Sequence, residues 1–170
     1  MPSKVSASLS VTAKTLTPFT GKSGFYASRL PDKESALEIM RIMSDLCHVP
    51  GLEFEDIEEL HCTVMYSPDK VPSSLVVDIT PKTTWIIDAS IFGTALVLRL
   101  FRTSQLSKRF NLLTSLGCDP TFPDYQPHIT IAKITDPDGK EAIVEALGAL
   151  LQLSPVPITL GGEIIEDVNP

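Results

Sequence analysis

The 170-residue sequence is short of cysteine, aromatic residues, long apolar runs and positive charge, and each shortage excludes a class of protein. Its three cysteines, Cys47, Cys62 and Cys118, are scattered without a CxxC pair. An odd, sparse set builds neither a disulfide framework nor a zinc-ligand spacing, so no metal is expected and a reducing cytoplasm is the expected compartment. The longest apolar stretches, such as Thr94–Phe101, fall far short of the roughly 20 residues that cross a bilayer, so no membrane association is expected. The N-terminus has no apolar core followed by a small-residue cleavage site and does not read as a secretory signal. Basic residues number 14 against 21 acidic ones, a net charge of -7. Long nucleic acids are held mainly by neutralising many phosphates with Lys and Arg, which a chain this acidic is poorly equipped to do. The balance favours a small ligand, while a local basic pocket remains compatible with it.

What is present suits one globular domain: 43% hydrophobic and 21% charged residues, on a chain long enough to bury a core. Residues 1–23 are rich in Ser, Thr and Lys and bury too little to offset their ordering entropy, so they are read as a flexible tail. Within them Val5–Val11 alternates and is a candidate edge strand. The domain is expected to run from 24 to 170.

There the pattern switches between period 2 and period 3.6. Strands are expected over Gly24–Leu30, Leu60–Ser67, Thr83–Ser90, Thr94–Arg102, Pro127–Ile134, Pro157–Leu160 and Glu163–Val168. The last two would turn around Gly161-Gly162. Helices are expected over Glu34–Leu46, Ser104–Leu116 and Lys140–Leu153, with Ser104 as an N-cap and Gly117 as a C-terminal cap. One face of the first would carry Ile39, Ile42, Met43 and Leu46, and one face of the third Ile143, Leu147, Leu150 and Leu151. The order is α+β, antiparallel-rich sheets with helices outside, and each half holds a helix followed by a strand bearing a His-x-Thr motif. That repetition implies two lobes related by pseudo-symmetry around a central groove.

The two motif strands read Leu60-His61-Cys62-Thr63-Val64-Met65-Tyr66 and Pro127-His128-Ile129-Thr130-Ile131-Ala132-Lys133. Residues i and i+2 share a strand face. His61 and Thr63 therefore look into a groove while Cys62 and Val64 anchor a core, and His128 and Thr130 do the same in front of Ile129 and Ile131. By the same alternation Lys133 faces away from His128. Two imidazoles that can exchange protons near neutral pH suit phosphodiester chemistry, one accepting a proton and the other donating one. Each Thr hydroxyl can bond a non-bridging phosphate oxygen. His48, between a helix and Pro50, reads as a surface histidine at a helix end.

These paired motifs resemble the 2H phosphoesterase superfamily, which includes 2',3'-cyclic phosphodiesterases and 2'-5' RNA ligase-like proteins. The second motif, Tyr125 to Ala132, is especially similar. Within the superfamily the chain looks most like the phage anti-CBASS nucleases, through Gly24-Phe25-Tyr26 and the stretch Glu59–Ser67. The resemblance implies a metal-independent, cofactor-free phosphodiesterase with His61, Thr63, His128 and Thr130 as catalytic residues. It would cut 3'-5' linkages of cyclic di- and trinucleotides, using a 2'-hydroxyl as first nucleophile, in the host cytoplasm if the gene is a phage's. Such substrates need stacking surfaces, and with 6% aromatic residues the candidates are few. Tyr26, Trp85 and Tyr125 are the candidate base contacts, with core packing as the competing role for each. Glu163 is a candidate polar contact to a base edge, against simple solvation at a strand start. The alternatives are an RNA-end-processing enzyme with a basic groove, a non-catalytic nucleotide-binding module, and an interaction protein with coincidental histidines.

Overall fold

The computed structural model describes residues 19–168. Most of the expected tail, including the candidate strand Val5–Val11, lies outside the described residues. Residues 19–23, assigned by composition to that tail, are tied to the domain. Phe19 packs edge-on against Phe25 at 5.7 Å, and the Asp167 carboxylate accepts from the Thr20 and Gly21 backbone N–H groups at 2.8 and 3.0 Å.

Seven strands and three α-helices follow in the order β1 (Phe25–Pro31), α1 (Lys33–Asp45), β2 (Leu52–Phe54), β3 (Cys62–Ser67), β4 (Lys82–Phe92), β5 (Ala95–Leu100), α2 (Ser104–Ser115), β6 (His128–Ile134), α3 (Lys140–Leu153) and β7 (Val156–Glu166). Asp32 caps α1 by accepting from the Ser35 N–H at 2.9 Å, and α1 buries Ala36, Ile39 and Ile42 at helical spacing. Thr103, not Ser104, caps α2: its hydroxyl accepts from the Leu106 N–H at 3.2 Å. Gly117 ends α2 at φ +113°, a left-handed conformation that glycine adopts without a Cβ penalty.

The strands lie in the order β2-β6-β3-β1-β7-β4-β5, and β5 also pairs with β6. All the pairings are antiparallel. The sheet thus divides into two leaves of three strands, β3-β1-β7 and β6-β5-β4. They join at β3–β6 on one side and at β7–β4 on the other. At the first join a single residue pair, Cys62 and Ile129, carries the register.

Each motif strand contains a β-bulge at the corresponding place. In β3, Met65 pairs with Ala27 and Thr63 with Ser28, so Val64 is the extra residue. In β6, Ala132 pairs with Leu96 and Thr130 with Val97, so Ile131 is the extra residue. Both bulges directly follow the threonine, and the two adjacent side chains, Val64 with Met65 and Ile131 with Ala132, are all at most 1% exposed. The bulge resets alternation and corrects the expectation for Lys133. It pairs with Ala95 and is placed on the face that carries His128.

One strand was not expected, and two further expectations are corrected. β2 carries no clear strand signal in its three residues and forms by pairing with the end of β6. Gly161-Gly162 lies inside the continuous strand β7, not in a turn. A Cβ at Gly162 would sit 3.0 Å from the Ile79 backbone, so glycine is there to admit the crossing segment. On α3, Leu151 is buried but Leu150 is 65% exposed, because α3 lies along β4 and turns that side outward. Among the described residues no helix is long and apolar enough to cross a membrane.

Candidate active site

His61 and His128 stand at the entry to their strands, in Glu59-Leu60-His61 and Gln126-Pro127-His128. The Nδ1 of His61 lies 2.7 Å from the Glu59 carbonyl oxygen, and that of His128 lies 2.8 Å from the Gln126 carbonyl oxygen. A carbonyl oxygen only accepts, so each Nδ1 carries the hydrogen and donates it. The tautomer is fixed in both rings, and each Nε2 is left as the nitrogen that can take up or release a proton. The same clamp two residues upstream, in two unrelated local sequences, is a feature the residues alone did not reveal.

The β3–β6 register organises the four motif side chains. Pairing of Cys62 with Ile129 puts His61 in line with Thr130 and Thr63 in line with His128. Exchanging the two strands about that pair carries His61 onto His128 and Thr63 onto Thr130. Both cross-strand neighbours share the face opposite the buried Cys62 and Ile129. Two imidazoles and two hydroxyls therefore form one constellation, with all four side chains partly exposed. Cys62 is no rival nucleophile: burial pushes its thiol up to about 11, so it stays protonated.

An aromatic edge flanks each imidazole. Tyr26 lies 6.3 Å from His61 at 88°, and Phe92 lies 4.8 Å from His128 at 74°. The Tyr26 hydroxyl and Thr63 Oγ1 share a hydrogen bond of 3.2 Å. Burial raises the Tyr26 phenol above its ordinary value, so it remains an O–H that can donate to Thr63. With Tyr26 as the donor, Thr63 keeps its own hydroxyl hydrogen for a ligand. Beside Thr63 and His128 opens a cavity of about 620 Å³ whose walls include Phe92, Phe122 and Tyr125. Phe122 is 74% exposed and Tyr66, which also lines the cavity, 37%.

Of the other expected contacts, Tyr26 belongs to this constellation and Trp85 stands apart from it. Trp85 stacks on Phe101 at 4.4 Å and 10°, and both rings are partly exposed. Phe101 follows Arg99 by two residues, so this pair continues the groove face of β5.

Tyr125 takes the competing role, a packed ring at the cavity wall. It is 7% exposed, stacks on Phe110 at 4.8 Å, and its hydroxyl donates to the Thr63 carbonyl at 3.2 Å. Glu163 is corrected. Its carboxylate is fully buried, accepting from Arg109 Nε and Nη2 at 2.5 and 2.6 Å and from the Asp78 N–H at 3.2 Å, with Arg29 at 3.5 Å. No valence is left for a base edge. The glycines that suggested an open strand start instead admit the 76–80 segment that buries it.

Sequence reasoning did not single out Phe92, which ends β4, Phe122, which lies in a loop, or Arg99, which lies between leucines in β5. Among the described residues no three His, Cys, Asp or Glu side chains come together as metal ligands would. His48 is exposed at the end of the first helical region, as the sequence suggests.

Two leaves present paired His-x-Thr motifs, with both Nδ1 atoms hydrogen-bonded to carbonyl oxygens and, among the described residues, no partner at either Nε2. Solved structures share the fold. E. coli LigT complexed with 3'-AMP superposes with a TM-score of 0.57 at 12% identity, over 84% of this chain and 86% of that one. A second structure described as a phosphoesterase gives 0.56 at 13% identity over 84% and 86%. TT0787 of Thermus thermophilus gives 0.55 at 12% over 84% and 84%. No curated protein matches the chain. The sequence model described as anti-CBASS protein Acb1 matches residues 23–170, and the chain belongs to that family. It is accordingly a phosphodiesterase of the 2H class.

Proposed function

We propose that this phosphodiesterase cleaves 3'-5' linkages of cyclic di- and trinucleotide messengers through acid–base catalysis by His61 and His128, and so disarms CBASS immunity in a host cytoplasm. The observation that carries the reading is the matched pair of Nδ1 clamps, which leaves Nε2 as the proton-transferring nitrogen of each ring. One imidazole takes the proton of a ribose 2'-hydroxyl as its oxygen attacks the adjacent phosphorus. The other gives a proton to the departing 5'-oxygen. The P–O5' bond breaks, and the opened product ends in a 2',3'-cyclic phosphate, which water opens in a second step. Thr63 and Thr130 donate to the non-bridging oxygens, where charge develops. No metal enters this mechanism.

Family membership supports a nucleotide substrate, and the similar LigT fold has been captured with 3'-AMP and with ATP. The net charge of -7 favours a small ligand over long RNA. The apolar cavity beside His128 suits one base, with Phe92 and Phe122 at its walls. Trp85 on its Phe101 partner offers a second ring further along the face.

The test is a nucleotide panel in excess EDTA, resolved by chromatography: 3',3'-cyclic dinucleotides, a cyclic trinucleotide, 2',3'-cyclic AMP and 2'-5' oligoadenylate. Cleavage of the cyclic oligonucleotides is the expected result. Turnover of 2',3'-cyclic AMP or the 2'-5' oligomer alone would assign the chain to RNA-end processing. Binding without turnover across the panel would make it a nucleotide-sequestering module, and loss of activity on chelation would end the metal-free mechanism.

Tyr26→Phe provides a finer check. It removes one neutral hydrogen bond to Thr63 and keeps the ring, so kcat should fall about five-fold while KM changes little. A fall beyond about a hundred-fold would make Tyr26 a proton carrier instead of a positioning group.

A further inference from the structure

We infer that Arg99 is the phosphate-binding cation of this site, holding the negative charge of the scissile phosphate beside His128; the inference rests on the phosphodiester reading and adds a residue to it. The β5–β6 register pairs Arg99 directly with His128, so the two side chains leave the sheet on the same face from adjacent strands. That this is the groove face follows from its other members. Val97 and Ala95, two and four residues back along β5, line the cavity with His128 and Thr63. Phe92, which pairs with Ala95, touches the His128 ring.

The guanidinium is held beside a carboxylate and left open at once. Its Nε lies 2.9 Å from Asp88 Oδ1, on the strand beyond, where Asp88 is the cross-strand partner. Asp88 is 15% exposed and Arg99 41%, so the carboxylate is seated in the sheet while the cation reaches solvent. Among the described residues its two terminal amino groups bond to nothing. A planar fork presented this way matches the oxygens of a phosphate.

The pseudo-symmetry of the leaves strengthens the case. Extending the β1–β3 register by one residue beyond Arg29 and Cys62 puts Leu30 opposite His61, where the second leaf has Arg99 opposite His128. Leu30 is 5% exposed. The fold needs no cation at this position, because the equivalent place is filled by a leucine. Lys133, also on this face, lies beyond the Ile131 bulge and pairs with Ala95, not with a motif histidine.

Arg99→Met keeps much of the side-chain volume and removes the charge. The substitution leaves the Asp88 carboxylate, 15% exposed, without its cation, so the variant should melt a few degrees below the wild type and Arg99→Lys, which keeps the charge, should melt close to it. Calorimetric titration with AMP and with adenosine separates phosphate binding from base binding. The wild type should bind AMP at least about ten-fold more tightly than adenosine, and Arg99→Met should lose that preference while keeping its adenosine affinity. With a substrate the wild type cleaves, kcat/KM should fall about a hundred-fold, and Arg99→Lys should recover part of it.

A preference for AMP retained within two-fold in Arg99→Met would overturn the inference. So would a wild type that binds AMP no better than adenosine. Should the wild type cleave nothing yet lose its AMP preference on substitution, the inference on Arg99 stands and the phosphodiesterase mechanism falls.

Discussion

His61→Ala and His128→Ala are each expected to lower kcat on the cyclic oligonucleotide substrate by about a hundred- to ten-thousand-fold, the usual size of general acid or base assistance. The fold should be untouched. Each imidazole is only partly buried, and the carbonyl it leaves behind, of Glu59 or Gln126, is at the surface and can turn to water. Melting temperature should therefore move by no more than a few degrees. The double variant should be little worse than either single one, because residues acting as a unit are strongly non-additive. Thr63→Ala and Thr130→Ala should each cost less, since they remove one hydrogen bond and no proton carrier. Steady-state kinetics with melting curves decide the matter. Full activity in either histidine variant would remove both from the mechanism and leave the matched clamps as a structural device.

The largest effect on stability is expected from Glu163→Ala. Its carboxylate is completely buried between Arg109 and Arg29, themselves 7% and 1% exposed. Taking away the anion leaves two guanidinium groups out of water with only Asp78, 22% exposed, nearby. Breaking a buried ionic cluster in this way costs about 3–5 kcal/mol, which for a chain of this size lowers the melting temperature by roughly 10 °C or more. The cluster also holds the segment crossing β7: Arg109 donates to the Val76 carbonyl, and Arg29 to the carbonyls of Asp78 and Thr80. Limited proteolysis should accordingly gain a cut near residues 74–80 in the variant. A second variant checks the cause: replacing Arg109 and Glu163 together by leucine should recover part of the loss, because one of the stranded charges is gone. A Glu163→Ala protein that melts within about 3 °C of the wild type would mean the cluster is not what holds this segment.

The contrast between these two predictions follows from how each residue could be read. His61 and His128 announce themselves through a repeated i, i+2 pattern with apolar neighbours, and strand alternation is local. The same local reasoning failed at Lys133, two positions past Ile131, because a bulge changes the count. A bulge leaves only a weak trace in sequence, a run of consecutive apolar residues such as Val64-Met65 or Ile131-Ala132. Glu163 failed for a different cause. Its partners are Arg109, 54 residues away, and Arg29, 134 residues away, and no local pattern links them. Tyr125 failed the same way, since its role depends on Phe110 and on the Thr63 backbone from a distant strand.

The sequence by itself determined the α+β order, the core face of the first helix, the acidic balance that favours a small ligand, and the presence of the two His-x-Thr motifs. These depend on period, cap and turn chemistry, and composition, all of which act over a few residues. Only the tertiary structure decided that His61 lies in line with Thr130 and Thr63 with His128. It also decided which imidazole nitrogen is free, and that Arg99 stands beside His128 where Leu30 stands beside His61. Those are matters of register between strands. Register is set by where bulges fall and by which faces the distant helices cover, so it exists only once the leaves are joined.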